Sequence, residues 1–323
     1  MGIYLNPGSD KFQEALRSAI YVDKSGMIAY TNRIFKSSNK YICVSRPRRF
    51  GKSMAANMLS AYYDRTVDGS MVFRGLAIAG NADFDTYRNQ CDVLFLNMQE
   101  FLSQTNSMED MLALVRRSVL WDIYMAYSDY MYFDKQNLSR TMADVYMQSE
   151  RPFVIIIDEW DCIFREYRND YQAQRQYLDF LRDWLKDKAY IGLAYMTGIL
   201  PIKKYGTHSA LNMFTEFSMT NPRELTPFVG FTAEEVWKLC EQYHMDYEEI
   251  MSWYDGYQFR DMTSICNPRS VVSAMESGIL DTYWTETETF EALKIYIDMN
   301  FSGLRDTIVK LMAGGRQKID TRS

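Results

Sequence analysis

The stretch CVSRPRRFGKSMAANML, residues 43–59, passes from an apolar run through a basic turn into a helical pattern. Residues 40–45, KYICVS, alternate as a short buried strand does, and Met54, Met58, Leu59 and Tyr62 recur at helical spacing. Between them, Gly51, Lys52 and Ser53 stand at the offsets of a phosphate-binding loop, Gly-x-x-x-x-Gly-Lys-Ser/Thr. That spacing serves to converge backbone N–H groups on an anion at the positive end of a helix. Only the first glycine is absent, replaced by Arg46. Its task is a permissive turn, which Arg46 followed by Pro47 can set another way, whereas Gly51 lets the backbone approach the phosphates. Arg46, Pro47, Arg48, Arg49, Phe50, Gly51, Lys52, Ser53 and Met54 are therefore candidate nucleotide contacts. Lys52 is expected to reach the β and γ phosphates, Ser53 to ligate Mg2+, and Arg48 and Arg49 to neutralise phosphate charge.

A second element gives that loop a partner. PFVIIID (Pro152–Asp158) is a continuous apolar run ending in a carboxylate, followed at once by Glu159. Such runs suit strands covered on both faces, and the carboxyl tips of parallel strands face the ligand crevice. A buried strand has no structural need of two acids at its tip. Asp158 is expected to hold the metal through water, and Glu159 to orient and deprotonate a water beside the γ phosphate. The run AYIGLAYMTG (Ala189–Gly198) places Thr197 beside the same crevice as a candidate γ-phosphate sensor. One of Arg165, Arg168 or Arg223 is a candidate transition-state arginine.

Two more runs, DVLFLNM (Asp92–Met98) and FTEFSMT (Phe214–Thr220), complete five predicted strands. Helical patterns lie between them, over residues 108–131 and in QYLDFLRDWLKD, where Tyr177, Leu178, Leu181, Trp184 and Leu185 share a face. Alternating strands and helices define an α/β class with a mainly parallel five-stranded sheet flanked by helices. After Pro222 the texture changes to TAEEVWKLCEQY, with Thr232 and Glu235 as a capping box and no strand-period run beyond. The sequence thus predicts a nucleotide-binding domain over residues 1–225 and a small helical domain over 226–323, which the resemblance described below implies is a lid.

With 323 residues, 47% hydrophobic and only 7 Pro and 16 Gly, the chain can bury a large core without a disordered composition. No apolar run approaches the roughly 20 residues of a membrane span, and no basic-then-apolar leader opens the chain, so a soluble cytoplasmic protein is expected. Five cysteines without a CxxC pair read as reduced and buried, and two histidines, His208 and His244, without a set of cysteine partners at ligand spacing argue against zinc. The net charge of −6 is uneven: the first 60 residues carry roughly +7 and the remainder about −13. Broad attraction to nucleic acid is not expected; a local basic cluster around a phosphate is.

These residues resemble the AAA-ATPase-like family, whose phosphate loop typically reads RPRRFGK followed by Ser or Thr. Further matching stretches are YVDKSGMI (Tyr21–Ile28), VIIIDEWD (Val154–Asp161), MTGILPIKK (Met196–Lys204), WYDGYQF (Trp253–Phe259) and NPRSVVSAM (Asn267–Met275). They run in order from residue 20 to about 275. The resemblance implies a P-loop NTPase core of the AAA+ and STAND type, ATP as nucleotide and a helical lid. Related archaeal ATPases carry a loop like GPRRVGKT, so the missing glycine reads as a family trait. By the same analogy Ile20, Tyr21 and Val22 are candidate adenine contacts. Members often continue into a PD-(D/E)xK nuclease-like domain. No Glu-x-Lys occurs in this chain, which is expected not to cut nucleic acid and reads as a truncated member or a piece of one.

The expected function is an ATP-binding, Mg2+-dependent ATPase module whose hydrolysis drives a conformational change between sheet and lid. The alternative is a switch or scaffold that binds ATP or ADP without significant turnover and presents the lid to a protein or nucleic-acid partner. A small-molecule kinase is a third reading, disfavoured because an acid directly after Asp158 suits water activation better than an acceptor site.

Overall fold

The computed structural model describes residues 2–202, 211–219, 221, 223–254, 257–259 and 262–283. The chain divides into two compact units, one of residues 1–46 and 51–229, the other of residues 47–50 and 230–323.

In the first unit, α1 (Asp10–Leu16) and α2 (Met27–Ile34) precede β1 (Tyr41–Ser45) and α3 (Lys52–Tyr63). The short α4 (Gly69–Val72) leads to β2 (Asp92–Asn97), α5 (Met98–Ser103), α6 (Met108–Ala126) and α7 (Leu138–Ser149). Then come β3 (Phe153–Asp158), α8 (Cys162–Glu166), α9 (Tyr171–Leu185), β4 (Ile191–Gly198) and β5 (Thr215–Phe217). The five strands form one sheet in the order β2-β3-β4-β1-β5, and every pairing is parallel. All residues of β1, β3 and β4 are buried, which is why FVIIID reads as an unbroken apolar run; β1, predicted from alternation, is buried along its whole length as well. Ile155, Ile156 and Ile157 have no exposed surface, and each side chain contributes about 1.5–3 kcal/mol by leaving water.

The strands align at their carboxyl ends: Ser45 is level with Gly198, and Asp158 with Asn97. Strand β4 lies between β1 and β3, so the loop that follows β1 and the acids that end β3 emerge on either side of its tip. The helix predicted over 108–131 stops at Ala126, and α7 was not legible as a separate element. The predicted fifth strand is three residues long, and Thr220 lies outside the described residues.

The outer edge of β2 is covered by the amino-terminal segment, with an antiparallel bridge between Leu5 and Leu94. Asn6 N donates to Val93 O at 2.7 Å, and Phe95 N to Tyr4 O at 2.9 Å. The Asn6 side chain donates to Asp92 at 2.8 Å and accepts from Val93 N at 2.8 Å. Oδ2 of Asp122 on α6 accepts from Tyr4 N at 2.6 Å and Leu5 N at 3.0 Å, fastening the segment and sealing the strand edge against other chains.

The second unit contains α10 (Ala233–Tyr243), α11 (Tyr247–Tyr254) and α12 (Pro268–Ser277), as its helical texture predicts. Thr232 and Glu235 form the expected capping box: Glu235 N donates to Thr232 Oγ1 at 3.3 Å, and Thr232 N to Glu235 Oε2 at 2.7 Å. The expectation of no strand beyond residue 225 is corrected. Strands β6 (Phe231–Thr232), β7 (Tyr257–Phe259) and β8 (Met262–Cys266) form a small antiparallel sheet in the order β6-β8-β7. At two, three and five residues they are too short to show a period of two. Part of the stretch WYDGYQF, residues 255–256, and the predicted lid beyond residue 283 lie outside the described residues.

Candidate nucleotide site

The loop leaves β1 at Ser45 and turns through Pro47–Phe50, with Arg49 at φ 67°, into Gly51, the residue before α3. Gly51 has φ 84°, and a Cβ there would meet nothing within 4 Å. Glycine is therefore required by the backbone angle rather than by space. Arg46 is 2% exposed; its Nη1 donates to Ser45 O at 3.0 Å and to Phe217 O at 2.7 Å, tying the turn to the end of β5. Its amide donates to Gly198 O at 3.1 Å, and burial lowers its pKa to about 10. A buried side chain bonded to the ends of β1 and β5 thus stands where the usual loop has glycine. Phe50 is buried, Pro47 and Arg48 are half-buried, and Arg49 is exposed.

Lys52 and Ser53 occupy the first turn of α3. Lys52 is 5% exposed, and burial lowers the pKa of its ammonium, opposed by the attraction of Glu159 and then of Asp158. The Ser53 hydroxyl donates to Oδ2 of Asp158 at 2.6 Å. Oδ1 of Asp158 accepts from the Thr197 hydroxyl and from Glu159 N, the latter at 3.1 Å. The structure thus brings Ser53, Asp158 and Thr197 into one hydrogen-bonded group, with the carboxylate 3% exposed. Met54, one residue further along α3, is 39% exposed.

Glu159 follows with φ 53°, a left-handed conformation that is uncommon for a residue with a long side chain. Its Oε2 accepts from Arg165 Nη2 at 2.5 Å. Burial raises the pKa of this carboxyl from its ordinary value, opposed by Arg165 and then Lys52. Of the three arginines weighed from sequence, only Arg165 reaches Glu159. Arg168 is exposed and donates through Nε to Arg165 O at 2.8 Å, and Arg223 is exposed at the start of a 3-10 turn, Arg223–Phe228, with φ 45°. Ile20 is buried, while Tyr21 and Val22 are half-buried in the coil before α2. The Tyr21 ring meets Phe12 edge-on at 6.3 Å, and burial raises its hydroxyl pKa.

Sequence reasoning missed Asp161. It is wholly buried, and its Oδ2 accepts from Ile199 N at 3.0 Å and Leu200 N at 2.8 Å, clamping the tail of β3 onto the tip of β4. Trp160 N donates to Thr197 O at 3.0 Å in the same clamp. The signal available was the second aspartate of DEWD, which also reads as the start of a solvated loop.

Ser53 and Asp158 are hard oxygen donors set side by side. Mg2+ uses one or two such protein groups and completes its shell with water and phosphate oxygens, so the residues fit that ion.

An all-parallel sheet of this order, with a glycine–lysine–serine turn opening a helix after β1 and an acid ending β3, defines the P-loop NTPase fold. The chain belongs to the AAA-ATPase-like family: the family described as predicted AAA-ATPase matches residues 8–207. It is also similar to an uncharacterized protein encoded in the vnfD 5′ region of Azotobacter chroococcum mcd 1, 22% identical over 277 residues. That match covers 83% of this chain and 51% of the relative, so the chain spans about half the relative's length. Among solved structures, the ORC2 protein of Aeropyrum pernix, in ADPNP–ADP complexes, matches 80% of this chain and 64% of its own. At 11% identity and a TM-score of 0.42, that likeness is too slight to carry an argument. No helix among the described residues is long and apolar enough to cross a membrane.

Proposed function

We propose that the chain is an ATP-binding module that hydrolyses ATP to ADP and phosphate with Mg2+. The observation that carries this reading is the group formed by Ser53, Asp158 and Thr197 beside Lys52 and Glu159. Lys52 neutralises charge on the β and γ phosphates, and the first-turn amides of α3 supply further donors. Mg2+ held by Ser53 and Asp158 would supply charge neutralisation on the phosphate oxygens. Glu159 orients a water and takes its proton as the water oxygen bonds to the γ phosphorus, while the bridging oxygen leaves with ADP. Catalysis on this scheme is positioning plus charge stabilisation.

Turnover would drive a conformational change passed to a protein or nucleic-acid partner. The five cysteines are buried and are not joined in disulfides, which suits a reducing compartment such as the cytoplasm.

The test is a denaturing extraction of purified protein followed by nucleotide chromatography, repeated on Lys52→Ala. Phosphate release is then measured with and without Mg2+, for the native chain and for Glu159→Gln. ATP or ADP from the native chain alone, with Mg2+-dependent release that Glu159→Gln abolishes, supports the proposal. Nucleotide recovered without any turnover would leave a nucleotide-dependent switch.

A further inference from the structure

We propose that Arg165 orients the Glu159 carboxylate to take a proton from the water that attacks the γ phosphorus and is a positioning residue of this site; the inference rests on the hydrolytic reading above. Glu159 leaves the tip of β3 with a left-handed backbone, and its flexible side chain has several rotamers to choose from. The 2.5 Å bond from Arg165 Nη2 selects one of them by holding Oε2. A charge-assisted bond of this kind is both shorter and stronger than a neutral one.

Arg165 is itself held in place. Its side chain is 7% exposed, and its Nε lies 3.9 Å from Oδ2 of Asp161, the carboxylate that Ile199 and Leu200 clamp. Its carbonyl accepts from Arg168 Nε at 2.8 Å. Gln174 on α9 donates to Tyr167 O at 2.7 Å and Arg168 O at 3.1 Å, fixing the turn that follows α8. The guanidinium therefore stands between one immobile carboxylate and the one to be oriented. With Oε2 anchored, Oε1 takes the proton of the attacking water as its oxygen bonds to the γ phosphorus and the bridging oxygen departs with ADP. In this arrangement Arg165 acts on the base through the ion pair with Glu159.

The test compares native chain, Arg165→Ala and Arg165→Lys by ATP turnover with Mg2+, affinity for a non-hydrolysable ATP analogue and urea unfolding midpoint. A misplaced group costs up to about 100-fold in rate, so Arg165→Ala is expected to lower kcat roughly 10- to 100-fold with analogue affinity within about threefold of native. Arg165→Lys, which keeps the charge but loses the planar fork, should fall between the two. Guanidinium chloride at low millimolar concentration should restore part of the rate of Arg165→Ala and none of that of Glu159→Gln. A kcat within threefold of native for Arg165→Ala, or a loss of rate that follows analogue affinity or unfolding midpoint and resists guanidinium, overturns the inference alone. A native chain that binds nucleotide and never turns it over overturns the hydrolytic reading and the inference with it.

Discussion

The Ser53 hydroxyl donates to Oδ2 of Asp158 at 2.6 Å across 105 residues of chain. The two oxygens are thereby set side by side at the carboxyl end of the parallel sheet, where on the hydrolytic reading they would hold Mg2+. Ser53→Ala should leave nucleotide affinity without Mg2+ within about threefold and weaken the Mg2+-dependent gain about 5- to 13-fold, taking the hydroxyl's contribution as roughly 1–1.5 kcal/mol. Titration of a fluorescent ATP analogue at several Mg2+ concentrations measures this.

Lys52 is 5% exposed, with its ammonium destabilised by burial. Removing it deletes a charge-assisted bond to phosphate worth about 1.5–3 kcal/mol, so Lys52→Ala should weaken nucleotide binding about 10- to 150-fold. The desolvation cost disappears with the charge, and the urea midpoint without nucleotide should not fall. A large drop in that midpoint would mean that Lys52 serves the fold.

Gly198 marks the clamp between β3 and β4. A Cβ there would lie 2.6 Å from Asp161 Oδ1 and 2.7 Å from Trp160 Nε1, both fully buried. Gly198→Ala should therefore destabilise by about 1–3 kcal/mol through overpacking. It should also slow any turnover, because the displaced groups hold the tip that carries Thr197. Urea unfolding and phosphate release are the two readouts.

Asp161 should make stability depend on pH. Burial raises its carboxyl pKa in the folded chain, so between its ordinary value near 3.8 and the raised one the folded state binds more protons than the unfolded. The contribution of this group to stability is then greatest below its ordinary pKa and falls as pH rises toward the folded one. Asp161→Asn keeps an acceptor for Ile199 N and Leu200 N and removes this titration. The stability difference, native minus variant, should decrease as pH is raised through that window. A difference that grows instead would mean that attraction to Arg165 outweighs desolvation.

Asn6 fills two roles at the sheet edge, donating to Asp92 and accepting from Val93 N, at φ 53°. Asn6→Ala leaves a buried N–H without its acceptor and puts a Cβ residue without local hydrogen bonds in a left-handed conformation. The expected cost is about 2–4 kcal/mol. With the edge of β2 loosened, light scattering on heating should begin at lower temperature.

By itself the sequence determined the local elements that carry the chemistry. Buried runs such as FVIIID read as strands because covering both faces removes every polar position. The turn before α3 was legible because phosphate binding requires a set spacing of glycine, lysine and hydroxyl, whatever lies elsewhere in the chain. Tertiary structure alone decided what joins these pieces: the strand order, Arg46 reaching Phe217, Asp161 holding Ile199 and Leu200, and Asn6 sealing β2. Those contacts span from 38 to 171 residues, and each buries a polar group whose single-residue signature matches that of an ordinary surface residue. Arg165 shows the same limit at short range. Six residues from Glu159, it read as one of three equivalent arginines until the turn after β3 brought its guanidinium onto the carboxylate.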